Sequence, residues 1–202
     1  MIIIGITGGI ASGKSTASKI FQEEHNAYVF DADKEAKLLL LDKKISEEIL
    51  DTFPDLKSTD PASMSKIVFK NKENQQKLNA ILHPAVNVEL LKRVEKIRHE
   101  KKHKIFIVDA ALIIESGSYK YYHESGAYII LLTSLKSVRI ERALSRGNLS
   151  EESIKERMDL QWDDDKKKDY SDYILENNES LDQLKSSIIF LVKEIRENAQ
   201  TS

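Results

Sequence analysis

The stretch Gly8-Gly9-Ile10-Ala11-Ser12-Gly13-Lys14-Ser15 fits G-x-x-x-x-G-K-[ST] and follows the apolar run Ile2-Ile3-Ile4-Gly5-Ile6-Thr7. A buried strand that ends in such a turn lets successive backbone N–H groups converge on one anion. Glycine at 8, 9 and 13 keeps side chains out of that approach. A helix starting near Gly13 adds its unsatisfied N–H groups and the positive end of its dipole. In this pattern Lys14 reaches the β- and γ-phosphates of a nucleoside triphosphate, and Ser15 ligates Mg²⁺. The chemistry to expect is phosphoryl transfer, or a nucleotide-operated switch built on the same loop.

Other residues could complete that chemistry. Asp31-Ala32-Asp33 ends a short apolar segment, and ligands in open α/β sheets gather at the carboxyl ends of strands. One of these carboxylates can cap the helix that follows, while the other takes a proton from, or orients, an acceptor hydroxyl. Asp109 closes the run Ile105-Phe106-Ile107-Val108 and is either a helix cap or a Walker-B residue that orients metal-bound water. His83 precedes Pro84, where it is a helix-end cap, a core residue or a functional group. Arg139, Arg142 and Arg146 recur at i, i+3 and i+7 on one helix face, which is surface charge or part of a lid. With Arg157 on the return limb, such a hairpin can clamp a transferring phosphoryl group as the site closes.

The elements that must position these groups follow from periodicity. Ala17, Ile20 and Phe21 place a helix after the loop, and Ala27-Tyr28-Val29-Phe30 is a second strand, so the chain begins as a βαβ unit. From Lys34 to about Lys104 the pattern is almost entirely helical, with Asp60-Pro61 as an N-cap and first helical residue. The residues after Lys34 form a first helix to Leu41, and the basic stretch Lys92 to Lys104 is a solvated face. Ile105 to Asp109 and Tyr128-Ile129-Ile130-Leu131-Leu132 are buried parallel strands. An αα-hairpin turns at Gly147-Asn148, and its second helix runs from Ser150 through Gln161. Asp163-Asp164-Asp165-Lys166-Lys167-Lys168 reads as an exposed hinge, Ser171 to Leu175 as a last strand, and Leu181 to Asn198 as a closing amphipathic helix. The expected architecture is a three-layer α/β fold with a parallel sheet, divided into a core (residues 1–33, 105–135 and 170–202), a helical acceptor-binding insertion (34–104) and a helical lid (136–169).

Composition bounds the remainder. Over 202 residues, 32% are charged and 41% hydrophobic, the balance of a globular chain with a sizeable core. A net charge of -2 supplies no basic field for nucleic acid, and zero cysteines exclude disulfides and thiolate metal sites. The N-terminal apolar run is too short for a membrane span or a secretory h-region. A monomer in the cytoplasm is the expectation.

The sequence resembles the dephospho-CoA kinases over nearly its whole length. Thr7-Gly8-Gly9-Ile10-Ala11-Ser12-Gly13-Lys14-Ser15-Thr16 looks like the family's T-G-G-I-x-S-G-K-S-T, and Asp31-Ala32-Asp33 matches its D-A-D. Ile67-Val68-Phe69 and Leu78-Asn79-Ala80-Ile81-Leu82-His83-Pro84 are similar to I-V-F and L-x-x-I-x-H-P, and Val108 to Glu115 resembles V-x-x-P-L-L-x-E. Arg142 and Arg146, Arg157 and Gln161, and Ser171 to Asn178 match the lid's R-x-x-x-R, its R-x-x-x-Q and the following A-D-x-x-I-x-N-x.

The resemblance implies ATP-dependent phosphorylation of the ribose 3′-hydroxyl of dephospho-CoA, giving CoA and ADP in the last step of coenzyme A biosynthesis. It implies that Gly9 and Ala11 to Thr16 bind ATP with Mg²⁺ and that Asp33 is the base at the acceptor. It places Asp31 and His83 near that acceptor, Asn177 near adenine, and Arg142 and Arg146 in the lid. Three positions depart from the family pattern: Ala111 for a proline, Pro61 for an arginine, and Glu179 for a glycine, none expected to touch the ATP loop. Two other readings stand beside it, a P-loop kinase of another small acceptor (a nucleotide or sugar acid) and a nucleotide-operated switch. The absence of N-K-x-D weighs against the switch.

Overall fold

The structure is a computed structural model, and it describes residues 1–68, 72–147 and 149–201. Phe69, the last residue of the Ile67-Val68-Phe69 motif, and Asn148, at the expected hairpin turn, lie outside the described residues. The chain divides into two compact units, Met1–Phe30 with Glu100–Ser202, and Asp31–His99.

The first unit is built on strands β1 (Ile2–Gly8), β2 (Tyr28–Asp31), β3 (Ile105–Asp109), β4 (Tyr128–Thr133) and β5 (Tyr173–Glu176), in the order β2-β3-β1-β4-β5. The pairings β1–β3, β1–β4 and β4–β5 are parallel, with Ile6 opposite Asp109 and Gly8 opposite Leu132. Crossover connections between parallel strands put helices on the faces of the sheet, so such strands read as continuous apolar runs; all five residues of β3 are buried. β3 lies between β2 and β1, so the two strands of the opening βαβ unit are not neighbours in the sheet.

On one face, α1 (Lys14–His25) and α10 (Leu181–Thr201) pack Ala17, Ile20, Phe21, Leu184, Ile188, Leu191, Val192 and Ile195 against Ile4, Ile6, Ile130 and Leu132. Each such large side chain contributes roughly 1.5–3 kcal/mol relative to exposure. After β3 the chain makes turns before α6 (Tyr119–Glu124). Beyond β4 come α7 (Lys136–Ser145), α8 (Glu151–Asp159) and α9 (Asp164–Lys168). α9 corrects the exposed hinge expected at residues 163–168: Lys167 is wholly buried and ion-paired with Glu115 at 2.6 Å.

The second unit is helical, with α2 (Ala32–Leu39), α3 (Lys43–Thr52), α4 (Pro61–Ile67) and α5 (Lys72–Glu100). Ile49, Phe53, Leu56, Met64, Val68, Leu78 and Leu82 form its core. Aspartates start three of the helices, Asp31 accepting from Lys34 N–H, Asp42 from Lys44 and Ile45, and Asp60 from Ala62 and Ser63 with Pro61 as first helical residue. The α2 helix starts two residues before Lys34 and stops at Leu39 rather than Leu41. Pro84 does not end a helix, as the His83-Pro84 pair suggests, but sits inside α5. An interior proline costs about 3 kcal/mol, and Leu78, Leu82, Val86, Leu90, Val94 and Ile97 form a buried stripe on both sides of it that offsets that cost.

Candidate active site

The loop leaves β1 at Gly8 and enters α1 at Gly13, the helix N-cap, which provides no side-chain cap for the N–H groups of the first turn. Uncapped donors at a helix start need an acceptor, and an anion supplies one. Gly13 has φ 105°, and a Cβ there would lie 2.1 Å from Asn177 Nδ2. Glycine is therefore required at 13 by this chain's own asparagine as well as by backbone conformation. Ala11 adopts φ 58°, the left-handed region, so successive N–H groups turn inward. Lys14 Nζ donates to Gly8 O at 3.0 Å, Ser12 N–H closes a turn on Gly9 O at 3.2 Å, and Ser15 and Thr16 are exposed.

A cavity of 280 Å³ opens beside this loop, lined by Ala11, Gly13 and Thr16 and by Arg142, Arg146, Asn177 and Glu179. Its size is just under the lower bound of about 300 Å³ typical of ligand clefts. Asn177 is buried and serves first as a strut, its Nδ2 donating to Ser12 O at 2.8 Å and its carbonyl accepting from Ser134 Oγ and Arg142 Nη1, each at 2.8 Å. Glu179, one of the positions that depart from the family pattern, lines the same cavity as Gly13.

Asp109, 8% exposed at the end of β3, accepts from Ser18 Oγ at 2.9 Å. That hydrogen bond ties the strand end to α1 and fixes one carboxylate oxygen. Thr7 Oγ1 donates to Ala111 O at 3.1 Å, so the position that departs from the family proline still anchors the loop after β3. Among the described residues no group of three or more His, Cys, Asp or Glu could hold a metal ion.

In the second unit, Asp31 is the N-cap of α2, accepting from Lys34 N–H at 2.8 Å, and Asp33 stands exposed in the first turn. His83, half-buried on α5, has its pKa lowered by burial, while the Asp33 charge opposes that shift. The two motifs that sequence spacing leaves fifty residues apart are thus within electrostatic reach of each other.

The α7–α8 hairpin packs Ile140, Ala143, Ile154 and Met158 against Ile10 and Ala11 of the loop. Arg142 Nη1 also reaches Ser134 Oγ at 3.3 Å, Arg146 caps α7 at the cavity, and Arg157 is exposed. Two contacts were not legible beforehand. Arg139 Nε donates to Ile10 O at 2.9 Å, and Gln161 Oε1 accepts from Ile10 N–H at 2.9 Å. The helical stripe of arginines contained the first and the R-x-x-x-Q match the second, but neither pattern names Ile10 as the partner.

The sheet order and the phosphate loop at the end of its central strand define the class, a P-loop kinase. Residues 2–183 match the family model described as CoaE: Dephospho-CoA kinase. The chain belongs to the dephospho-CoA kinase family. It is 34% identical over 189 residues to the dephospho-CoA kinase of Fusobacterium nucleatum subsp. nucleatum, covering 91% of this chain and 93% of that one. Among solved structures it is similar to TT1252 from Thermus thermophilus, with a TM-score of 0.79 and 27% identity over 96% of this chain and 97% of that one. It is likewise similar to the dephospho-CoA kinase from Campylobacter jejuni, with a TM-score of 0.65 and 28% identity over 98% of each chain. No helix among the described residues is long and apolar enough to cross a membrane.

Proposed function

We propose that the protein transfers the γ-phosphoryl group of ATP to the ribose 3′-hydroxyl of dephospho-CoA, giving CoA and ADP, the closing step of coenzyme A biosynthesis. The observation that carries this reading is the extent of the family match, residues 2–183, which takes in Asp31, Asp33 and His83 as well as the loop.

In this reading the N–H groups of the loop and of the first turn of α1, from Gly9 and Ala11 through Ser12, Gly13, Lys14, Ser15 and Thr16, hold the phosphates. Lys14 exchanges the Gly8 carbonyl for phosphate oxygens, a substitution its flexible stem permits. Mg²⁺, held by Ser15 and phosphate oxygens with Asp109 on the metal side, supplies charge neutralisation when bound. Asn177 and Arg142 border the cavity that takes the nucleoside part of ATP. Arg146 meets the charge that spreads over the transferring group.

On the acceptor side Asp33 orients the hydroxyl and takes its proton late in transfer, Asp31 holds the start of α2, and His83 lies near the acceptor. A ribose hydroxyl is a poor nucleophile, so placement rather than covalent chemistry supplies the rate. The experiment is product identification. Incubation with ATP, Mg²⁺ and dephospho-CoA followed by ³¹P and ¹H NMR should show one new phosphomonoester on the ribose 3′ carbon. A phosphate on any other atom, or none, would contradict the reading.

A further inference from the structure

We propose that Arg139 is a positioning residue for the phosphate loop, setting ATP affinity through the backbone of Ile10. The inference rests on the reading that this loop binds ATP. Each nitrogen of the guanidinium has a place in the first unit. Nε donates to Ile10 O at 2.9 Å, and Nη1 meets Asp164 Oδ2 at 3.5 Å in a pair whose side chains are only 12% and 20% exposed. Nη2 lies against Gly9: a Cβ built there would stand 2.0 Å from Nη2 and 2.5 Å from Cζ. The space that a side chain at residue 9 would fill is therefore occupied by this arginine, so glycine is needed there for the protein's own guanidinium and not only for a phosphate.

The other polar group of Ile10 is held from the same side, its N–H donating to Gln161 Oε1 at 2.9 Å. Its side chain packs with Ile140, Ala143, Ile154 and Met158. Both backbone hydrogen bonds and the packing thus come from the hairpin and the turn that follows it. Ile10 is joined to Ala11, whose left-handed backbone costs about 1–2 kcal/mol and needs restraint from its neighbours. Fixing Ile10 supplies that restraint, so the hairpin holds the anion-binding curve of the loop before the nucleotide arrives.

The test compares Arg139→Ala, Gly9→Ala, the double variant and Arg139→Lys. Readouts are kcat, KM for ATP and for dephospho-CoA, ATP Kd by calorimetry without acceptor, and Tm. Arg139→Ala should raise KM and Kd for ATP about tenfold, the effect of one lost buried hydrogen bond, with kcat and the acceptor KM within about twofold. Gly9→Ala should raise the Kd for ATP at least as far, because its methyl expels the guanidinium while the backbone at 9 remains outside the left-handed region. The double variant should be no worse than Gly9→Ala alone, and Arg139→Lys should recover part of the affinity through one bond to Ile10 O.

Effects that multiply in the double variant would overturn the proposal, as would a lowered Tm with unchanged ATP constants or a fall confined to kcat. If Arg139→Ala does not fold, Gly9→Ala and Arg139→Lys decide the same question. Calorimetry separates this proposal from the functional reading. Wild-type protein that binds ATP but leaves dephospho-CoA unphosphorylated defeats the latter alone, and the variant series in Kd still stands.

Discussion

Replacing Lys167 by methionine should destabilise the first unit far more than a lysine in the run Asp163 to Lys168 suggests. Its side chain is 0% exposed and faces Glu115, 10% exposed, at 2.6 Å. The two meet without hydrogen-bond alignment, and neither has a further partner among the described residues, so the attraction between them is Coulombic. Removing one member of a buried pair leaves an uncompensated charge, a loss of about 3–5 kcal/mol. In a chain of this length each kcal/mol moves Tm by about 2–4 °C, so the midpoint should fall by roughly 6–20 °C. Lys167→Met combined with Glu115→Leu removes both charges and should restore most of the loss. Urea unfolding followed by fluorescence reports on this corner directly. Trp162 is the single tryptophan, with Lys166 Nζ 3.5 Å from its ring and Tyr170 at 5.9 Å. A loss under about 1 kcal/mol, the range of exposed pairs, would refute the reasoning, as would a double variant weaker than Lys167→Met alone.

Asp33→Asn keeps size and hydrogen bonding but removes the proton acceptor, so kcat should fall by about 10²- to 10⁴-fold with ATP affinity unchanged in a titration. Collapse of ATP binding with high residual turnover would move Asp33 to a metal or loop role. Arg146→Lys should lower kcat more than it raises either KM, since an ammonium cannot reproduce a bidentate guanidinium; steady-state kinetics check the split. His83 has a lowered pKa in the folded state, so the unfolded chain binds its proton first and stability is lost as pH falls below the ordinary value of 6.5. Urea midpoints at pH 7.5 and 5.5 should therefore drop further in wild type than in His83→Gln, and equal drops would remove this contribution.

What could be read from the sequence was what is local. The strand, loop and helix from Ile2 to His25 follow from an apolar run, an octapeptide and a 3.6-residue period, and none of these depends on distant contacts. Asp60-Pro61 announced a helix start for the same reason. The misses are all tertiary. Lys167 sits among charges and looks solvated until Glu115, fifty-two positions away, is placed on it. Pro84 looks like a helix end because propensity is read one turn at a time, whereas the buried stripe from Leu78 to Ile97 spans several. The Asn177 amide also braces Ser12, a contact across 165 residues that no short pattern encodes. Arg139 was visible as part of a stripe, but only the fold shows that its guanidinium fills the place left by Gly9.

The central claim, a kinase whose acceptor is dephospho-CoA, is tested most directly by ADP release from purified protein with ATP and Mg²⁺ and one acceptor at a time. Dephospho-CoA should stimulate release many-fold over the acceptor-free rate, while AMP and shikimate leave it at background. Equal stimulation by AMP or shikimate, or none by dephospho-CoA, would contradict the account.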